Sequence, residues 1–99
     1  MAIRSPRYAF NAVNLAGAPQ DQGVFTLWDG EELIYVGRAT GRATIKSCLA
    51  DHFAGDHGPC TRQATHYGWE ITHFAAWREA ELLEEFAAVQ RRLPRCQKT

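Results

Sequence analysis

Ninety-nine residues, 45% apolar and 22% charged, suit one globular domain with a modest core and leave no room for a second. Eleven basic residues balance eleven acidic ones, so overall charge gives no support to nucleic-acid binding. No apolar run approaches the roughly 18 residues of a membrane span, and the opening MAIRSPRYAF lacks the apolar centre of a signal peptide. Cys48, Cys60 and Cys96 are odd in number and widely spaced, which argues against a disulfide framework. Free thiols and a cytoplasmic location are the expectations.

Residues 1–22 hold two prolines and several small residues without a sustained period, and read as an irregular N-terminal arm with at most one short element. GVFTLW and ELIYVG, residues 23–28 and 32–37, then flank Asp29-Gly30, the pattern of a β-hairpin with that pair in its turn. Thr44 is placed to cap a helix whose apolar residues Ile45, Leu49 and Phe53 recur every four positions. GDHGPC, residues 55–60, is a loop by its two glycines and proline. Aromatic and β-branched residues predict a third strand over 68–75. REAELLEEFAAVQRRL predicts a closing helix with inner face Leu82, Phe86, Val89 and Leu93, stopped by Pro94. The expected class is α+β: a three-stranded antiparallel sheet flanked by helices, in the order β-β-α-β-α.

Charge is uneven along this plan. Arg38, Arg42 and Lys46 step by four after the hairpin, while Glu79, Glu81, Glu84 and Glu85 crowd the last helix. Each cluster alone is the ordinary solvated surface of a small domain. Gly23-Val24-Phe25 and Tyr35-Val36-Gly37 sit on the two strands of one hairpin, followed by a helix bearing His52, a glutamate helix and a Pro-Arg-Cys-Gln ending. In that order, over about residues 23–97, the chain resembles the GIY-YIG nucleases.

The resemblance implies metal-assisted hydrolysis of a DNA phosphodiester. One glutamate would hold Mg²⁺ or Mn²⁺, an ion that keeps several waters and needs few protein ligands. Tyr35 would stand near the attacking water and phosphate, and His52 would assist proton transfer or contact the phosphate. Arg38, Arg42, Lys46 and Gln97 would contact the nucleic acid, the cations giving salt-sensitive backbone binding. At 100° per residue Glu84 points about 180° from the apolar stripe, whereas Glu85 lies on its shoulder. Glu85 is therefore the expected metal ligand, with Glu84 in reserve. Gly37 would let the backbone approach a phosphate.

Three positions depart from the family pattern: Phe25 stands where a tyrosine is usual, Cys48 where an arginine is expected, and Gln97 for the terminal asparagine. A lost phosphate cation costs several kcal/mol of transition-state stabilisation unless Arg38, Arg42 or Lys46 replaces it. The alternative is a catalytically inactive domain of the same fold that binds nucleic acid or a protein. A metal-free interaction domain using Trp69 and Trp77 is a third reading. His52, His57, Cys60 and His66 lack the tight spacing of a zinc site, and a Cys48–His52 thiolate pair is rarer than a buried inert thiol.

Overall fold

The computed structural model describes residues 6–97. Its elements are β1 (Tyr8–Ala9), α1 (Ala12–Ala16), β2 (Gly23–Asp29), β3 (Glu32–Ala39), α2 (Ile45–Ala54), α3 (Pro59–Arg62), β4 (His66–Ile71) and α4 (Ala75–Gln90). The strands form one antiparallel sheet in the order β1-β4-β2-β3. The class is α+β as expected, with a fourth strand: two residues of the arm pair with β4, and Leu15 and Ala18 of the same arm enter the core. Residues 1–5 of the expected irregular arm lie outside the described residues.

The hairpin forms where its sequence predicts, one position displaced. Asp29 still pairs with Glu32, so Gly30 and Glu31 are the turn, and the φ of 61° at Gly30 is the conformation that glycine tolerates best. A register shift at Leu27/Trp28 sets Tyr35 opposite Leu27 and Leu33 opposite Trp28, leaving Ile34 without a partner. That bulge turns two successive residues, Ile34 and Tyr35, toward the same layer. One face of the sheet packs Phe25, Leu27, Ile34 and Tyr67 against Leu15, Ile45 and Leu49 of α1 and α2. The other packs Val24, Leu33 and Val36 against Ala75 and Leu82 of α4.

Thr44 caps α2 as expected: its hydroxyl accepts from the Ser47 amide (3.0 Å) and Ser47 Oγ accepts from the Thr44 amide (2.9 Å). The 55–60 loop is shorter than predicted, because Pro59 opens α3 with its fixed φ. The third strand is shifted: it runs His66–Ile71, and Ala75 already belongs to α4. The Thr72 hydroxyl accepts from the Phe74 amide (3.0 Å), a local turn that overrides the strand preference of the aromatic run. At the other end α4 stops at Gln90, with Arg91 left-handed at φ 61°. Val89, still within α4, is 77% exposed and not part of the inner face.

Beyond Arg91 the chain runs back along β3. The Cys96 amide donates to the Ile34 carbonyl (2.9 Å), Gln97 bonds both backbone groups of Val36, and Arg95 contacts Asp29 and Glu32 (2.9 and 2.6 Å). This strap brings Cys96 to α3, where it forms a disulfide with Cys60 across 36 residues of sequence. The expectation of three free thiols is thus corrected: an odd count did not forbid one pair, and only Cys48 is free. The expectation of a cytoplasmic location loses its support from the cysteines. Among the described residues no helix is long and apolar enough to cross a membrane.

Candidate functional site

β3 is the edge strand, so side chains on both of its faces can be reached around one rim. Tyr35 leans toward α2, where its ring centre lies 4.9 Å from that of His52. Arg38 leans the other way, its guanidinium 3.6 Å from the Glu79 carboxylate of α4. Cys48 closes the gap from α2, its thiol donating to the Arg38 carbonyl at 3.9 Å. Tyr35, Arg38, Cys48, His52 and Glu79 therefore meet at one stretch of sheet edge.

Burial sets the chemistry of these groups. Desolvation, then the nearby Glu79 and Cys48, push the Tyr35 phenol above its ordinary range. The phenol is therefore a neutral donor at physiological pH. Burial lowers His52 from 6.5 to about 4, helped by His57, whose ring stacks on it at 4.1 Å. His52 Nδ1 lies 2.9 Å from Thr61 Oγ1, and both residues are 3% exposed. Burial raises Glu79 while Arg38 opposes that rise. Cys48 is raised by burial and by Asp51, which keeps it a thiol, and no hydrogen bond joins it to His52. The thiolate pair has no geometry to support it.

Phe25 is buried in the same ring cluster, 5.5 Å from His52 and 6.1 Å from Tyr35. Its ring lies flat on Gly37, where a Cβ would come within 2.3 Å of the Phe25 ring tip. Gly37 is thus required by packing inside the protein. Gln97 Oε1 accepts from the Val36 amide (3.0 Å) and its Nε2 donates to the Val36 carbonyl (2.9 Å), so both ends of its amide hold the strand edge. Arg42 is exposed and Lys46 half-buried at the start of α2, and neither has an ion-pair partner among the described residues.

The glutamates are arranged differently from the sequence expectation. Glu85 lines a groove of about 540 Å³ with Trp28, Leu33 and Phe86, its carboxylate 3.9 Å from Arg78. It lies six residues past Glu79, about 9 Å along α4. Glu84 is exposed. Glu79 is the carboxylate beside Tyr35 and Arg38, and the sequence did carry its signal: it precedes Leu82 by three and Phe86 by seven, on the buried side of the helix. Among the described residues no group of three or more His, Cys, Asp or Glu could hold a metal. Cys60 is spent in the disulfide and His66 Nδ1 contacts Thr65 Oγ1 at 2.9 Å, which removes the zinc arrangement. A single carboxylate with open coordination fits an ion such as Mg²⁺, which retains its waters.

Scanned against protein-family models the chain matches none, and a search of curated proteins returns no match.

Proposed function

We propose that this chain is a divalent-metal-dependent DNA endonuclease of the GIY-YIG kind, cutting phosphodiesters at the rim of β3. The observation that carries the reading is the convergence of Tyr35, Arg38, His52 and Glu79, drawn from one strand and two helices. Such a set is expected for a phosphodiester: a guanidinium for charge, a phenol and an imidazole for position, and a carboxylate for Mg²⁺ or Mn²⁺. Arg38 takes the place of the arginine that Cys48 lacks. Glu79 rather than Glu85 would hold the ion, which when bound polarises a phosphoryl oxygen and acidifies a coordinated water. The phenol of Tyr35, held neutral, donates to a phosphate oxygen or orients a water and does not abstract a proton. Arg42 and Lys46 lengthen the cationic path along the backbone, giving salt-dependent, sequence-tolerant binding.

The Arg38–Glu79 ion pair favours a second reading, a nuclease-like domain that binds nucleic acid without cutting it, since each partner already occupies the other. Nicking of supercoiled plasmid at low salt with Mg²⁺ or Mn²⁺ separates the two. Cleavage by the parent, lost in Glu79→Gln and retained in Glu85→Gln, supports the enzyme. Binding without cleavage by all three supports the second reading, and loss confined to Glu85→Gln returns the metal to the groove carboxylate.

A further inference from the structure

We propose that Thr61 is a positioning residue that holds His52 in its Nε2–H tautomer, so that the ring meets a bound phosphodiester as a hydrogen-bond donor and not as a base. The donor half of this inference rests on the endonuclease reading; the tautomer half stands on geometry alone. Thr61 Oγ1 and His52 Nδ1 are 2.9 Å apart and both residues are buried, so each must satisfy the other. The Thr61 hydroxyl has no other hydrogen-bond partner among the described residues. A helical threonine commonly turns its hydroxyl back on the carbonyl four residues earlier. Thr61 is the third residue of α3, however, so that carbonyl belongs to His57, before the helix begins.

The hydroxyl proton then has one acceptor, the lone pair of Nδ1, and the ring proton must sit on Nε2. The reverse arrangement, with Nδ1–H donating to Oγ1, would bury the hydroxyl proton without an acceptor, at about 1–3 kcal/mol. The neighbours reinforce the choice. Tyr35 and Phe25 close around the ring at centroid distances of 4.9 and 5.5 Å, and His57 lies parallel to it at 4.1 Å, so an imidazolium finds no anion here. α3 is held in place from outside by the Cys60–Cys96 bond, one residue from Thr61. An imidazole with its proton on Nε2 has no lone pair left there for general-base work. It donates to a phosphate oxygen, and Arg38 supplies the charge.

The test reads the tautomer first and catalysis second. Two-bond ¹⁵N–¹H correlation of the labelled protein at neutral pH should give His52 a pyridine-like Nδ1 and a pyrrole-like Nε2. Thr61→Ser should keep that pattern, and the near-isosteric Thr61→Val should collapse it to an average of both tautomers. Nδ1–H in the parent, or an unchanged pattern in Thr61→Val, overturns the proposal; if Thr61→Val does not fold, the parent and Thr61→Ser spectra still decide it. In plasmid nicking, His52→Gln, which keeps an N–H but offers no base, should lose clearly less activity than His52→Phe. His52→Phe should lose about 10–100-fold in kcat, the worth of a hydrogen bond to a charged group. Equal losses in the two variants overturn the donor role. A parent that does not nick refutes the endonuclease reading and leaves the tautomer result standing.

Discussion

Cutting the Cys60–Cys96 bond should cost the fold more than any single surface contact. The bond closes a loop of 36 residues that contains α3, β4 and the whole of α4. In the chain-entropy account a loop of this length contributes about 4 kcal/mol through the unfolded state. For a domain of this size about 4 kcal/mol corresponds to a melting temperature lower by roughly 15–30 °C. The native state should not rearrange on reduction, because the Cys96 amide still donates to Ile34 and Gln97 still grips Val36. The measurement is calorimetric melting of the oxidised protein, of the same protein under a dithiol reductant, and of Cys60→Ser/Cys96→Ser, with alkylation and intact mass giving the thiol count. Oxidised protein should alkylate once after denaturation, at Cys48, and reduced protein three times. Protein verified as oxidised that melts within about 5 °C of its reduced form would refute the loop-closure reasoning.

Gly37→Ala should destabilise by about 1–3 kcal/mol or more in urea unfolding, since its Cβ would enter the Phe25 ring, and Phe25→Leu in the same chain should recover part of the loss. Gln97→Ala should cost about 2 kcal/mol for two neutral hydrogen bonds and speed hydrogen exchange at the Val36 amide; unchanged exchange there would show that the strap is not what closes this edge. His52, neutral when folded down to about 4, binds fewer protons than the unfolded chain. Its contribution is therefore complete above pH 6.5 and is lost as pH falls from 6.5 to about 4. The full span is worth about 3 kcal/mol at most, and about half that after solvent screening. His52→Phe should flatten the slope in that window, and an unchanged slope would place the acid sensitivity elsewhere.

What the sequence made legible was local. The hairpin, the Thr44 cap and the four-residue step of Ile45 and Leu49 depend on neighbours within a few positions, and each is present, the hairpin with its turn one position late. The misplacements came where distant residues decide. The run from Trp69 to Trp77 has the composition of a strand throughout, but the Thr72 turn and the packing of Ala75 on Val36 and Leu82 pull its second half into α4. Leu93 continues the helical stripe on paper, yet the left-handed Arg91 ends α4 before it and sends the strap back along β3. No spacing rule pairs Cys60 with Cys96, because their meeting depends on that strap. The candidate site divides in the same way. Tyr35 and His52 share a ring cluster, while the carboxylate paired with Arg38 on the same strand is Glu79, which the helical-phase argument passed over in favour of Glu85.

The strap also explains why an edge strand can carry this cluster at all. An exposed strand edge invites pairing with another chain, and β3 is long. Cys96 and Gln97 occupy the backbone groups of Ile34 and Val36, the residues on either side of Tyr35, so the edge is closed just where the phenol projects from the sheet face. An amide that spans a backbone N–H and C=O serves this purpose without adding a strand, and glutamine has the reach to do it. Gln97 therefore contributes to the site by fixing the strand under Tyr35, and its exchange for a residue without an amide should disturb Tyr35 and Arg38 together.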